Sequence, residues 1–544
     1  MESIDLSISI VIVLMSVLLY FISYAAEKYI TRKWCLLYLV PSIAVIAATA
    51  FSGFDIYMVP VYSGVLLLLA GYIKDSGRIR RTVCVFSALL ALATVPLCTY
   101  AEGYRKYDYV RDFKDGIAYM ERHYVLSEHK NIDFDELYNE FLPKFQEVNR
   151  TQDETENLQV WTEFCARFND GHVSYYHLYD DSKITEVMDK VLGNDYGFAP
   201  MTLSDGKTVA VNVEKDSEAY RSGIRNGTVI KGWNGVSPEK ISDENLKYFS
   251  YTDKETRNFF RTLICGGTGG DSITVDFDDE NNIEKSVVLK STGPYYSGRL
   301  KDTLNAVAGG IETGHMMWKD IDDKTSAFRI KFMQADSKAM HSGEFTKLEK
   351  NIAEKIIEMK QQGKDHIIID IRDNSGGDPK MTESLVSVFA PASEEIYYCS
   401  DAKWDNKTAM YEKDSEGRFT VNNENYITGK GLWDGKVTIL VNSASASASD
   451  HFVYVMKKLE NVKVIGFTKT NGSAQGAEGM EFPNEYILQF SGSLFLDEEG
   501  EVFIDSGTDN VNKNDIDMIV PFDEEAVKTI FDNGEDYLLK KALQ

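Results

Sequence analysis

Seven residues, Ser443-Ala444-Ser445-Ala446-Ser447-Ala448-Ser449, alternate hydroxyl and methyl side chains between an apolar run, Val437–Val441, and an amphipathic one, Asp450–Leu459. A serine at such a strand-to-helix junction is lifted clear of the sheet, and the helix amino terminus favours negative charge developing beside it. A small-residue linker has the same composition, but linkers seldom join a β-branched strand to a helix so abruptly within one domain. A hydroxyl nucleophile also needs a base to take its proton and donors to hold an oxyanion. Asp373-Asn374-Ser375-Gly376-Gly377 offers the donors: it follows the apolar run His366–Ile371, and two glycines let backbone amides approach a ligand closely. Alone, the same pair makes an ordinary turn. Bases are few, with 8 His in 544 residues.

The segments around these motifs alternate between strand and helix from Thr325 onward, which marks a layered α/β domain. Strands are expected at Ala327–Phe332, His366–Ile371, Val437–Val441 and Val462–Ile465, and helices at Phe345–Gln361, Met381–Phe389 and Asp450–Leu459. Upstream, Tyr107–Phe168 repeats apolar residues at helical spacing, as in Leu137, Phe141 and Phe145, and ends in the turn Asn169-Asp170-Gly171-His172 before the alternating stretch Val173–Leu178. Residues of about 195–291 read as short strands around one short helix, Ser217–Arg221.

The first hundred residues differ in kind. Four apolar stretches, Ser7–Ala26, Trp34–Phe54, Ile56–Ile73 and Thr82–Tyr100, are each long enough to span a bilayer and predict four transmembrane helices. Lys28, Arg32 and Lys33, and then Lys74, Arg78, Arg80 and Arg81, mark two cytoplasmic loops and place everything after Tyr100 outside the cytoplasm, in a multi-pass protein of the cell membrane. Residues 1–100 hold seven basic and five acidic side chains, net +2, so the whole-chain charge of -26 leaves -28 on the rest, which disfavours a phosphate backbone as partner: no nucleic acid is expected. Six cysteines at 35, 84, 98, 165, 265 and 399 form neither a disulfide framework nor a zinc-ligand spacing, and no metal or organic cofactor is implied.

Two resemblances follow from these residues. Ser217, Ala219, Ser222-Gly223-Ile224, Gly227, Ile230 and Trp233-Asn234-Gly235 occur in an order that resembles a PDZ domain. Such domains take a peptide carboxyl terminus as an added strand, which implies that Tyr196-Gly197-Phe198 would hold the carboxylate. The segments IIIDIRDNSGGDPKMTESLVSVF and VTILVNSASASASDHFVYVMKKLENVKVIG resemble the C-terminal processing (tail-specific) proteases and the related tricorn core, clan SK serine peptidases. The closing NDIDMIVP and NGEDYLLKKAL are similar to that family's tail, although Asn514 stands where proline is usual.

That resemblance implies a ClpP/crotonase-like α/β core and makes Ser447, in Ser447-Ala448-Ser449-Asp450, the nucleophile. It also implies oxyanion donors at Ala448 and Gly376, with Gly377 adjacent, and a retained Gln475. One branch of the family uses a lysine where this chain reads Thr470-Asn471-Gly472; the tricorn-like branch uses a histidine, whose place His172 occupies. A neutral imidazole accepts a proton near pH 7, whereas a lysine must first lose its charge, so His172 is the expected base and Lys469 the fallback. Asp505 and Asp509 are equal candidates for the acid that orients it.

The expected organisation is a four-helix transmembrane anchor (1–103), a helical subdomain ending near the Asp-Gly-His turn (104–190), a PDZ-like module (191–295) and an α/β serine peptidase core (296–544). The function expected is a membrane-embedded, extracytoplasmic serine endopeptidase acting on polypeptides, whose carboxyl termini the PDZ-like module selects or admits. The alternative is a catalytically inactive membrane receptor that binds peptides with the PDZ-like module and the cleft.

Overall fold

Buried on both faces, a parallel strand must be apolar throughout, and the aliphatic runs of the α/β segment meet that demand. The computed structural model describes residues 108–309, 316–334, 345–405, 407, 410–507 and 513–544. Helices α1 (Tyr109–His123), α2 (Phe134–Thr151) and α3 (Glu154–Ala166) come first, followed by strand β1 (Ser174–His177) and helix α4 (Ser182–Leu192). Asp133 and Asp153 cap α2 and α3, accepting from the amides of Glu136 at 2.9 Å and Glu156 at 3.0 Å. Phe113, Phe141, Phe145, Trp161 and Phe164, spaced to share helix faces, are fully buried, with Phe113 stacked on Phe145 at 4.4 Å between centroids.

A β-rich segment follows. Strands β2 (Ala199–Thr202) and β3 (Thr208–Val211) pair antiparallel, as do β4 (Ile230–Trp233), β5 (Ser272–Asp278) and β6 (Glu284–Lys290) in that order, with helix α5 (Lys254–Ile264) packed on β2. The expected helix at Ser217–Arg221 is present as Glu218–Arg221, with the Ser217 hydroxyl capping Tyr220.

The α/β segment contributes β7 (Met316–Asp320), β8 (Thr325–Ile330), α6 (Phe345–Gln361), β9 (His366–Asp370), α7 (Pro379–Phe389), β10 (Glu395–Ala402), β11 (Val421–Thr428), β12 (Lys436–Val441), α8 (Ala448–Met456) and β13 (Val462–Gly466). After these come β14 (Gly476–Glu481), β15 (Tyr486–Ser493), β16 (Phe495–Leu496), β17 (Met518–Ile519) and α9 (Tyr537–Ala542). The main sheet runs β17-β13-β12-β9-β8-β7, parallel except at the β7 edge. Phe328, Ile367, Ile369, Ile439 and Val441 from its strands and Val386, Phe452 and Met456 from its helices form one core. In an open parallel sheet, ligands bind beyond the carboxyl ends of the strands, and the loops after β8, β9 and β12 lie there side by side.

By contacts the chain divides into two compact units, 1–112 with 481–486, and 113–480 with 487–544. All of the site residues described below belong to the second. The expected fold class requires correction in one respect: among the described residues no helix is long and apolar enough to cross a membrane. The longest described helix, α2, carries its charges around a buried stripe of Leu137, Phe141, Phe145 and Val148. The four stretches expected to span, Ser7–Ala26 to Thr82–Tyr100, lie outside the described residues.

Candidate active site

Ser447 closes the turn between β12 and α8, as its N-cap, with φ 58° and ψ -117°. That conformation is costly for any residue with a side chain, about 1–3 kcal/mol, and persists only where the surroundings impose it. Here they do. The Ser447 amide donates to Asp450 Oδ2 at 2.8 Å, Ala446 N to Asn374 O at 3.0 Å, and Ser445 Oγ to Ile371 O at 2.8 Å. The turn is thereby tied to the first turn of its own helix and to the neighbouring loop, while Ser447 itself stays half-exposed.

Asp450 is the anchor of this arrangement. Its carboxylate also accepts the amides of Gly472 at 2.9 Å and Ser473 at 3.0 Å, which fastens Thr470–Gln475 to the nucleophile turn. Burial pushes its carboxyl up to about 6 even though Thr470 and three backbone amides favour the charged form. It was visible beforehand only as the acid that closes the Ser-Ala-Ser-acid motif.

The glycine pair lies against the serine. A Cβ on Gly376, whose φ is +95°, would sit 2.7 Å from Ser447 Cβ and 2.6 Å from Ala446 O, so only glycine fits without displacing the turn. Its amide, however, donates to Asn374 Oδ1 at 3.0 Å. Asn374 is fully buried and braces the site further, donating from Nδ2 to Ile330 O at 3.0 Å and accepting Ser449 Oγ at its carbonyl at 3.0 Å. The amides left for an oxyanion are those of Gly377, which is exposed, and Ala448, the first residue of α8. The family resemblance implies Gly376 as the donor, with Gly377 adjacent; the bond that engages Gly376 depends on the side-chain orientation of Asn374.

His172 approaches through the turn that precedes β1. Gly171 N donates to Ser473 Oγ at 2.8 Å, and Ser473 N to Asp450 Oδ2, so the Asp-Gly-His turn and the Ser447 turn grip the same loop. His172 is 8% exposed; its amide donates to Asp170 Oδ1 at 2.9 Å. Burial holds the ring below the usual imidazole range, partly offset by the Asp170 charge. Nδ1 is buried with no hydrogen-bond partner, and no hydrogen bond joins the ring to Ser447 Oγ.

Asp505 is buried close to Asp170, and desolvation together with that like charge drives its carboxyl well above the carboxylate range. Its Oδ2 accepts Ala474 N at 3.1 Å, and neither oxygen bonds to His172. Asp509 lies outside the described residues. Gln475 is committed at both ends, donating to Phe503 O at 2.8 Å and accepting Phe495 N at 2.7 Å, so it braces the loop carrying Asp505. The Lys469 ammonium pairs with Asp515 at 2.5 Å and makes no contact with Ser447. His451, on α8, donates from Nε2 to Ala474 O at 2.7 Å and is pushed down to about 4 by burial among Tyr398, Phe495 and Phe503. Among the described residues no cluster of His, Cys, Asp and Glu could hold a metal ion.

In the β-rich segment, Tyr196 and Phe198 are buried. Gly197 N donates to Asp195 Oδ1 at 2.9 Å, and that carboxylate is itself held by Arg299 at 3.0 Å. The adjoining strand β2 pairs with β3 on one side, and Thr202 Oγ1 at its end lies 3.1 Å from Thr262 Oγ1 of α5. A Cβ on Gly266 would meet Pro200 Cδ at 2.5 Å.

An elbow serine between a parallel strand and a helix, beside a glycine loop with unengaged amides, is the arrangement of a serine hydrolase. Residues 329–510 match the family described as Peptidase family S41. A "Probable CtpA-like serine protease" of Staphylococcus epidermidis is 29% identical over 188 residues, 34% of this chain and 35% of that protein. Another, of Staphylococcus saprophyticus, is 28% identical over 141 residues, 26% of each. The similarity thus spans about a third of the curated relatives' length or less. Among solved structures, mature CPAF aligns with a TM-score of 0.50 at 14% identity, covering 80% of this chain and 96% of that one. A CPAF mutant aligns with 0.51 at 14%, covering 81% and 98%; these are likenesses of fold.

Proposed function

We propose that this chain hydrolyses peptide bonds through an acyl-enzyme on Ser447. Ser447 Oγ attacks the scissile carbonyl, its proton passes to His172 Nε2, and the Ala448 and Gly377 amides hold the oxyanion. The imidazolium returns the proton to the leaving amine; water, activated by the same ring, then releases the acid and regenerates the serine. The observation that supports this most is the strained Ser447 elbow, fixed by Asp450 and packed on Gly376. A turn held so against its own preference has a use for its hydroxyl. Ring and hydroxyl are not yet bonded, which is common before substrate binds and catalytic contacts tighten.

Substrates are polypeptides, held in the cleft over the carboxyl ends of the parallel strands. Fluorophosphonate labelling of the intact chain tests the reading. Ser447-dependent labelling that vanishes in Ser447→Ala is expected; folded protein that fails to label would leave a peptide-binding role without catalysis.

A further inference from the structure

Behind the Asp-Gly-His turn lies a charged side chain that the mechanism above does not use. Lys130, in the loop after α1, is 8% exposed, and its Nζ donates to Asn169 O at 3.0 Å, Ser506 O at 3.1 Å and Ser506 Oγ at 3.3 Å. An ammonium has three hydrogens, and all three are used. The same nitrogen lies 3.9 Å from Asp505 Oδ1. Burying an ammonium costs several kcal/mol even in a good pair, and an apolar side chain of similar volume would ordinarily stabilise such a position as well or better.

The acceptors show what the charge does. Asn169, with φ 45°, starts the turn that ends at His172, and Asp170 within it takes the His172 amide on Oδ1 and Ser491 Oγ at 2.8 Å on Oδ2. Ser506 follows Asp505, whose carboxylate receives Ala474 N, and Ala474 O receives the imidazole of His451 on the nucleophile helix. Lys130 therefore ties the segment carrying the imidazole to a loop already fastened to the helix that carries Ser447. The charged and titratable groups around it are Asp170, Asp505, Tyr124, whose hydroxyl faces both carboxylates, and His129. His129 Nε2 lies 3.3 Å from Asp505 O, with Glu501 and Lys513 facing it in turn.

We propose that Lys130 is a positioning residue: it registers the His172 turn against the Asp505 loop and thereby sets the reach of the imidazole toward Ser447. The proposal rests on His172 serving as base. The Lys130 ammonium also faces the Asp505 carboxyl, so losing it makes that carboxyl and the nearby His172 ring harder to deprotonate.

The test uses the full chain as wild type, Lys130→Met, Lys130→Ala and Ser447→Ala, with peptide turnover measured from pH 5 to 9. Lys130→Met is expected to lower kcat by about a hundredfold, the cost of roughly 1 Å of misplacement, with KM changed by less than about twofold. Its acid limb should move to higher pH. In Lys130→Ala, propylammonium is expected to restore turnover, and propanol of the same size to leave it unrestored. Wild-type kcat and acid limb in Lys130→Met overturn the proposal. Should Lys130→Met fail to fold, Lys130→Ala decides, and no difference between propylammonium and propanol overturns it too. Failure of the underlying reading shows separately, as wild-type protein without Ser447-dependent labelling.

Discussion

Replacing Gly376 by alanine adds one methyl group at the point where the two active-site loops touch. Its nearest neighbours would be Ala446 O at 2.6 Å, Ser447 Cβ at 2.7 Å and Ala448 N at 2.9 Å, two of them backbone atoms that no rotamer change can move. Since heavy atoms settle at about 3.5–4.0 Å, relief needs a displacement of roughly 1 Å between the loops. Displacement of that size at reacting groups costs about a hundredfold in rate, or about 2.7 kcal/mol of activation free energy. The backbone adds a separate term: φ is +95°, and a residue with a Cβ is strained there by about 1–3 kcal/mol. Gly227→Ala separates the two, because Gly227 has φ +87° but nothing within 4 Å of the added carbon. Urea unfolding should show comparable destabilisation of both variants from strain. Fluorophosphonate labelling and peptide turnover should fall about a hundredfold in Gly376→Ala alone. Turnover within about threefold of wild type in Gly376→Ala, or an equal loss in Gly227→Ala, would refute the claim that this collision governs the nucleophile.

His172→Ala should abolish turnover, a loss of about 10²–10⁴ in kcat, while Lys469→Met, which breaks only the pair with Asp515, should retain most of it. Because burial lowers the pKa of His172, the neutral ring persists to lower pH, and the acid limb of kcat/KM should lie below about 6.5; a limb above that value would contradict the assignment. His451 is held down to about 4 in the folded protein, so the unfolded chain binds more protons between about 4 and 6.5. Wild type should therefore lose stability relative to His451→Gln as pH falls through that window, by on the order of 3 kcal/mol, read from urea midpoints. Asp536→Asn should destabilise by about 3 kcal/mol or more, because Arg372 is fully buried and its charge is shared between Asp370 at 2.8 Å and Asp536 at 2.6 Å. An unchanged melting temperature would exclude a structural role for that pair.

The elements that carry the site were legible where one physical cause decides structure. His366–Asp370 and Lys436–Val441 are uninterrupted apolar runs that only a covered parallel strand accommodates, and Phe345–Gln361 shows its helix in the spacing of Ile352, Ile356 and Met359. What brings His172 to the core was not legible. Strand β15 lies between β1 and β14, and such pairing depends on partners remote in sequence, with nothing in either run to specify the other. Asn374, Asp450 and Lys130 were opaque for a related reason. Each is a polar residue whose role resides in which backbone groups surround it after folding. The contact of β2 with α5 was equally hidden, since Thr202 and Thr262 meet only through tertiary packing.

Asn471, at the place where the resemblance would put the lysine branch's base, is held on several sides by its neighbours. Asn471 N donates to Ser445 O at 2.8 Å and Nδ2 to Ser443 O at 2.9 Å, while Oδ1 accepts Ser473 Oγ at 2.6 Å. The Thr252 hydroxyl donates to its carbonyl. Facing it, a Cβ on Gly171 would fall 2.1 Å from Asn471 Oδ1 and 2.4 Å from Ser473 Oγ. The Asp-Gly-His turn therefore occupies the space into which a longer side chain at 471 would extend, and Gly171 is glycine because that approach leaves no room for a Cβ. Because Asn471 makes these bonds at close quarters, Asn471→Lys should cost both stability and turnover instead of supplying a second base.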